Sequence, residues 1–409
     1  MKFRLVCVSA LVGVGAGLGG MTLALLLRAV QHLSYGYSPG MLIGPESFLQ
    51  GVEAASPERR VLVLILLGVI AGLGWWLIGR FGKPLVSISD AVAARKTMPV
   101  LTTLSHIFLQ IIAVAMGSPM GREVAPRELG TLIAQRFSSQ AGLSPRDTQI
   151  MLACGAGAGL AAVYNVPFAG AVFVLEVILR EFSLGLLIRA VAISGIAVIV
   201  SWIGLGNHPA YQVPHLAISN SLIVWSLITG PIFGFLGHWF ERAANYARSK
   251  AQTNWQTPVL CLLNFTLLGL LAIYFPALLG NGKSPAQLEF NDAIGLGLTA
   301  ILLLLRVFFV CSTLRSGTHG GLLTPSLANG ALLAVLLGGL WQLLWPGPAL
   351  NTFAIVGATA FLASAQKMPV TAVILIFEFT RVNPSFLIPI ILAVTGAYLA
   401  TLNRRSNSV

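Results

Sequence analysis

Long apolar runs separated by short polar segments make up most of this chain. The runs occupy residues 5–27, 61–80, 100–117, 148–164, 167–180, 183–205, 220–239, 258–280, 294–312, 320–345, 353–366, 369–379 and 386–402. None of them alternates with the period of two that is typical of a half-buried strand. A membrane-spanning helix needs about 20 apolar residues, and several runs are shorter or interrupted by Gly or Pro. The pattern therefore predicts an all-α polytopic membrane protein with tilted and broken helices.

Basic residues flank the first and the last apolar runs. Lys2 and Arg4 precede the first run, which is longer than the roughly 7–15 apolar residues of a signal peptide and lacks a cleavage pattern. We therefore interpret residues 5–27 as the first membrane helix. Arg404 and Arg405 follow the last run, and cytoplasmic loops of membrane proteins are enriched in Lys and Arg. We expect a multi-pass protein of the inner (plasma) membrane with both termini in the cytoplasm.

The polar stretches between the runs indicate a single domain. Residues 31–60, 206–219 and 241–256 are predicted to be loops or interfacial segments, and no low-complexity linker separates the runs. We therefore expect one transmembrane domain over residues 1–409, without a cytoplasmic regulatory domain.

Two stretches of the chain align with each other without a gap. Gly155–Glu176 and Gly357–Glu378 each contain a Gly/Ala-rich helix, a proline that restarts a helix, and a glutamate nine residues after that proline. The two glutamates are expected to cap or pair structurally, with Lys367 as a candidate partner of Glu378.

A second matched pair lies at nearly the same offset. Gly121–Pro126 and Gly320–Pro325 both have the pattern Gly-x4-Pro before a predicted helix, and proline is favoured in the first helical turn. Matched, interrupted segments in two halves of a transporter point to a binding site near the middle of the membrane. We therefore predict pseudo-repeat halves of about residues 5–205 and 220–402.

The composition fits a membrane protein. Only 9% of the 409 residues are charged and 56% are hydrophobic, whereas soluble domains have about 25% charged residues. The net charge is +12, but the basic residues are scattered between apolar runs, which indicates cationic loops beside an anionic leaflet and no nucleic acid partner. No cluster of residues has metal-binding or catalytic spacing, so we predict no enzyme, no cofactor and no metal site.

The interrupted segments favour an anion as the bound ion. A helix that starts inside the membrane leaves its first N–H groups unpaired, and these groups bind anions together with the positive end of the helix dipole. A cation path would instead need carbonyls or paired carboxylates, and most of the 13 acidic residues lie in predicted loops.

Glu123 is the most informative single residue. It lies in the first Gly-x4-Pro segment, between Arg122 and Arg127. A carboxylate at a helix start could occupy the anion site as a tethered anion, and protonation would release it, so that Glu123 would serve as gate and proton carrier. Alternatively, Glu123 caps its helix and pairs with Arg122 or Arg127.

Three motifs resemble one family. Gly121–Glu123 with Pro126 is similar to the G-[KR]-E-G-P motif of CLC chloride channels and chloride/proton antiporters. Gly320–Pro325 resembles their G-G-x-F-x-P motif, and Ala162–Glu176 resembles a third conserved segment. The resemblance implies an inverted-repeat bundle, a homodimer in the bilayer with one anion path per subunit, and Glu123 as the external gate. It predicts an anion site formed by Lys83, Gly121, Arg122, Gly321, Leu322 and Leu323.

Several positions depart from the family pattern. Gly82–Val86 aligns best with the motif G-S-G-I-P, which places Lys83 where a serine contacts the anion; alternatively, Lys83 extends to the cytoplasmic interface. Leu323 replaces the usual phenylalanine, and the central tyrosine near the C-terminus is absent. Val177 stands where exchangers have an inner proton glutamate, and Glu181 is a weak candidate for its replacement.

The sequence thus predicts transport of small inorganic anions, chloride first, through a path gated by Glu123. Proton-coupled exchange and a passive voltage- or pH-gated chloride channel both stay open. An unrelated secondary solute carrier is a remote alternative, which paired acidic residues without opposing helix starts would favour.

Overall fold

The computed structural model of the chain describes residues 2–38, 43, 44 and 46–405. Within these ranges the regular elements are helices, and the β-type pairing is a single antiparallel bridge between Gly121 and Gly321. Seven of the described helices are long and apolar enough to cross a membrane. The prediction of an all-α polytopic membrane protein is confirmed.

The helices vary widely in length, from short interfacial pieces to spans longer than a bilayer core requires. In chain order they are α1 (Lys2–Tyr35), α2 (Phe48–Ala54), α3 (Pro57–Phe81), α4 (Ile88–Ala93), α5 (Val100–Ala115), α6 (Val124–Gln140), α7 (Pro145–Tyr164), α8 (Pro167–Phe173), α9 (Leu184–Leu205), α10 (Asn220–Ser249), α11 (Gln256–Leu271), α12 (Lys283–Phe290), α13 (Leu296–Arg315), α14 (Leu323–Gln342), α15 (Leu350–Ala365), α16 (Pro369–Thr380) and α17 (Leu387–Arg405).

Some boundaries differ from the predicted ones. The stretch 241–256, predicted to be a loop or an interfacial segment, is helical up to Ser249, because residues 240–249 contain good helix formers and neither Gly nor Pro, so α10 continues through them. The apolar run 258–280 is not one helix. Helix α11 ends at Leu271, and a short 3₁₀ turn begins at Pro276, where proline lacks the N–H that a continuing helix would need.

One face of the bundle, here called the Lys283 face, contains the ends of α1, α7 and α9 and the start of α12. Its connecting segments are tied together by side chains. Asn165 Nδ2 donates to Asn207 Oδ1 at 2.9 Å, and Gln287 Nε2 donates to Gln212 O at 2.6 Å.

The opposite face, here called the Lys367 face, contains the ends of α3, α6, α10, α13 and α15. The Met98 N–H donates to Gln135 Oε1 at 2.8 Å. Arg315 Nη1 donates to Lys250 O at 3.0 Å. The helices therefore cross between two faces on which the polar connections collect.

Glycines allow α6 and α7 to pack with their backbones in contact. A Cβ at Gly130 would lie 2.0 Å from the carbonyl oxygen of Gly155, and a Cβ at Gly159 would lie 1.9 Å from that of Pro126. Such small-residue contacts are typical of membrane helices, which lack a hydrophobic drive to associate. The Gly-rich sequence of α7 therefore positions the first turn of α6, which carries the candidate gate.

The two matched glutamates cap helices of the opposite half. Glu176 accepts the N–H groups of Val370 and Thr371 at 2.9 and 2.7 Å. Glu378 accepts those of Phe168 and Ala169 at 3.0 and 2.7 Å. The capping prediction is confirmed.

The ion pair suggested between Lys367 and Glu378 is not formed. Lys367 Nζ instead lies 2.7 Å from Glu241 Oε1, because the Glu378 carboxylate is already engaged by the amides at the start of α8.

Candidate anion-binding site

The two Gly-x4-Pro segments meet in the interior of the bundle. The Gly121 N–H donates to Gly321 O at 2.8 Å, and the Gly321 N–H donates to Gly121 O at 2.9 Å. Helices α6 and α14 begin within three residues of this bridge. A Cβ at Gly321 would lie 1.8 Å from Glu123 Oε1, so glycine is required for the carboxylate to approach this backbone.

The Glu123 carboxylate crosses from the start of α6 to the start of α14. The side chain is buried, with 1% of its surface exposed. Oε1 accepts the Leu323 N–H at 2.7 Å, and Oε2 accepts the Tyr164 hydroxyl at 3.4 Å. The carboxylate thus accepts a hydrogen bond from a backbone amide at the positive end of a long helix. Amides at such helix ends bind anions.

The structure differs from the alternative interpretation, in which Glu123 caps its own helix and pairs with Arg122 or Arg127. The Glu123 side chain makes no N-cap hydrogen bond to α6, and among the described residues no ion pair within 4.0 Å joins it to Arg122 or Arg127. The Arg122 guanidinium lies over the Tyr164 ring instead, 4.9 Å from its centroid.

Tyr164 belongs to the site, although the sequence analysis gave it no role. Its hydroxyl lies 3.0 Å from Thr324 Oγ1 and also contacts Glu123. The available signal was positional: Tyr164 is the last residue of α7, and Asn165 after it ends the helix at φ +60°. A polar ring at such an end can face a cavity, but its contact with Glu123 depends on tertiary packing.

Two cavities approach Glu123 from opposite faces. The Lys283 cavity has a volume of about 470 Å³, and Arg28, Arg122, Tyr164, Lys283 and Thr324 contribute to its wall. The Lys367 cavity has a volume of about 260 Å³ and is lined by Glu123, Leu322 and Leu323 together with the basic residues Arg127, Arg248 and Lys367. Glu123 and Tyr164 therefore lie between the two cavities.

Five of the six predicted anion-site residues lie around the Glu123 carboxylate: Gly121, Arg122, Gly321, Leu322 and Leu323. Lys83 follows α3 with an exposed side chain, and its backbone N–H donates to Thr102 Oγ1 at 3.1 Å. Lys83 does not line either of the two cavities.

Glu181, the candidate inner proton residue, also lies apart from the site. Its exposed carboxylate pairs with Arg146. The acidic residue that does line the Lys367 cavity besides Glu123 is Glu241, which pairs with Lys367. Glu241 has no predicted role because it lies in a stretch predicted to be a loop or an interfacial segment, although a lone acid on a helix in a membrane protein is itself a signal.

Known proteins match this chain along most of its length. The family model described as voltage gated chloride channel matches residues 67–402. The chain is 28% identical over 418 residues to the H(+)/Cl(-) exchange transporter ClcA of Vibrio cholerae serotype O1, covering 97% of this chain and 86% of that protein. It is 26% identical over 409 residues to the Voltage-gated ClC-type chloride channel ClcB of Salmonella typhimurium, covering 96% of this chain and 95% of that protein.

Solved structures share the fold. A slow cyanobacterial Cl-/H+ antiporter superimposes with a TM-score of 0.84 at 19% identity, over 98% of this chain and 95% of that one. A CLC-type fluoride/proton antiporter superimposes with a TM-score of 0.71 at 22% identity, over 97% and 95%.

Proposed function

The chain belongs to the voltage gated chloride channel family, and from that premise we propose that it carries small inorganic anions, chloride first, across a membrane. The path runs between the Lys283 and Lys367 cavities, and Glu123 closes it. The observation that carries the proposal is the 2.7 Å hydrogen bond from the Leu323 N–H to Glu123 Oε1. An anion can take this amide only when the carboxylate leaves it.

Proton coupling follows from the chemistry of the gate. A protonated Glu123 has no charge to compete with an anion for the Leu323 amide, so each departure of the carboxylate can carry one proton. The name of the Vibrio cholerae relative, an H(+)/Cl(-) exchange transporter, supports this assignment.

A passive chloride channel is the second candidate function. Val177 occupies the position after the matched Glu176, and Glu181 is exposed and paired away from the path. The chain therefore lacks an acid at these two places, and the acid that lines the Lys367 cavity beside Glu123, Glu241, is held in an ion pair with Lys367. The Salmonella typhimurium relative is named a channel.

The distribution of basic residues supports an orientation in the plasma membrane in which the Lys367 face lies in the cytoplasm. Both termini would then be cytoplasmic. Near that face lie Arg80, Lys83, Arg95, Lys96, Arg146, Arg180, Arg248, Lys250, Arg315 and Lys367. Near the Lys283 face lie Arg28, Arg59, Arg60, Lys283 and Arg381. Cytoplasmic loops carry the excess of Lys and Arg. By the family resemblance, the working unit in the bilayer is a homodimer.

The test is chloride efflux from proteoliposomes with the voltage set by valinomycin and the internal pH recorded. Exchange predicts proton movement opposite to chloride in a fixed ratio, and a channel predicts chloride movement alone. Glu123→Gln serves as the matched variant, in which anion movement persists and coupled proton movement stops. Wild-type vesicles that release chloride no faster than empty ones would contradict the proposal.

A further inference from the structure

Three basic side chains converge on the Lys283 cavity from different parts of the fold. Arg28 comes from α1, Arg122 from the turn before α6, and Lys283 is the first residue of α12. All three also line an adjoining cavity of about 600 Å³. Like charges repel one another, so this grouping is stable only with water or an anion between them.

Among the residues that the structure describes, none of those that line the Lys283 cavity is Asp or Glu. In the part of the chain that the structure describes, no carboxylate oxygen lies within 4.0 Å of a side-chain nitrogen of Arg28, Arg122 or Lys283. The Arg122 Nε is buried and has no hydrogen-bond partner among the described residues. Glu46 and Glu53 line only the adjoining cavity.

The cavity ends at the gate. Tyr164 and Thr324 belong to its wall, and the Tyr164 hydroxyl contacts both Thr324 and the Glu123 carboxylate. An anion held among the three cations is therefore close to the Leu323 amide and can bind it when the Glu123 carboxylate leaves that amide.

We propose that Arg28, Arg122 and Lys283 form a capture site for a small inorganic anion, which passes from this site to the amide of Leu323. The site rests on the proposed function as an anion transporter and adds to it a binding step before the gate. Because the side chain of Lys283 is exposed to solvent within the cavity, the site holds its anion weakly enough to release it, as conduction requires.

Lys283 makes this step dependent on pH. Although part of the Lys283 side chain faces the cavity, its burial between the cavity walls removes water from the ammonium group, and this burial, followed by repulsion from Arg122 and Arg28, lowers the pKa of Lys283 to about 8. Its charge is complete below that pH and is lost above it, so anion capture weakens as the pH rises through about 8. The other charged and titratable residues that line the Lys283 cavity and the adjoining cavity are Arg28, His32, Tyr37, Glu46, Glu53, Arg122, Tyr164, His208 and Tyr211.

The first test compares Lys283→Met with Lys283→Arg by chloride flux at several chloride concentrations, with equal pH on both sides. Arginine keeps the charge at every accessible pH. In the wild type we expect the half-saturating chloride concentration to rise about fivefold as the pH passes 8. A factor of about five corresponds to the attraction between one unit charge and an anion at about 4 Å in a water-like medium. In Lys283→Arg the half-saturating chloride concentration should stay low on both sides of that pH, and in Lys283→Met it should stay high.

The second test changes the charge after the protein has folded. Lys283→Cys is treated with a cationic or an anionic membrane-impermeant methanethiosulfonate, with treated wild type as control for the native Cys7, Cys154, Cys261 and Cys311. The cationic reagent should lower the half-saturating chloride concentration and the anionic reagent should raise it.

The outcomes separate this site from the proposed function. Equal chloride dependence in all Lys283 variants, with flux intact, would overturn the capture site and leave the transport proposal standing. Absence of chloride flux in the wild type would overturn the transport proposal itself.

Discussion

The contact between Glu123 and the Leu323 N–H sets the stability of the closed path. A hydrogen bond to a charged group contributes about 1.5–3 kcal/mol, and here the carboxylate is 1% exposed. The second oxygen has a longer contact, 3.4 Å, with the Tyr164 hydroxyl. Release of Glu123 must break both contacts, so each of them is a point at which a substitution can change the rate of opening.

Tyr164→Phe removes the weaker of the two Glu123 contacts, together with the 3.0 Å contact between the Tyr164 hydroxyl and Thr324 Oγ1. Loss of one hydrogen bond of about 1 kcal/mol should destabilise the closed state and raise chloride flux up to about fivefold, with the proton coupling retained. Tyr211→Phe is the matched control, since Tyr211 lines the same cavity and packs on Phe290 and Phe379. Equal flux in the two variants would remove Tyr164 from the gate.

Lys83 tests the family alignment. If its ammonium contacts the anion, as the sequence predicts, Lys83→Ser should weaken chloride binding and speed flux. Lys96→Ser is the matched control, because Lys96 is also exposed and pairs with Asp90 at 3.8 Å. Unchanged affinity and rate in Lys83→Ser would assign Lys83 to the cytoplasmic interface.

At the scale of elements, the backbone contact between α6 and α7 holds the gate in place. Gly159→Ala would put a Cβ 1.9 Å from Pro126 O, so the two helices must separate and the first turn of α6 must shift. We expect a loss of about 1–3 kcal/mol in unfolding free energy and a lower flux, measured by thermal unfolding in detergent and by chloride efflux.

Gly195→Ala provides the control for this substitution. Gly195 lies in α9, and beyond the backbone of its own helix no atom of a described residue lies within 4 Å of an added Cβ; alanine is the better helix former by about 1 kcal/mol. Its stability should be unchanged or slightly higher. An equal loss in both variants would show that the α6 and α7 contact has no special role.

The sequence could predict the elements of the site better than their contacts. The two Gly-x4-Pro segments and Glu123 are visible as a pattern, because an interrupted helix start needs glycine and proline at fixed places. The contacts of Tyr164, Glu241 and Lys283 with the path are not visible, because each lies on an element far along the chain, and only packing brings them to the cavities.

At the scale of the whole molecule, two cavities open from opposite faces and are separated by the contact between Tyr164 and the buried carboxylate of Glu123. The reciprocal caps of Glu176 and Glu378 tie the start of each half's short helix to the other half. These caps fit the predicted pseudo-repeat halves, and they keep α8 and α16 fixed to each other while Glu123 moves.

The proposed orientation can be checked with single cysteines. His215 lies in the exposed segment after α9 at the Lys283 face, and Lys250 lies exposed after α10 at the Lys367 face. On intact cells, a membrane-impermeant maleimide should label His215→Cys, and it should label Lys250→Cys only after permeabilisation. The parent protein, whose cysteines are buried or half-buried, is the control. The reverse pattern would invert the orientation.

The central claim is that Glu123 occupies the position of the transported anion, and bromide in crystals tests it most directly. In Glu123→Ala the Leu323 N–H is free, so anomalous scattering should place a bromide ion within hydrogen-bond distance of that nitrogen, with less bromide there in the wild type. Bromide found in Glu123→Ala only at other places, with none at the Leu323 amide, would contradict the account.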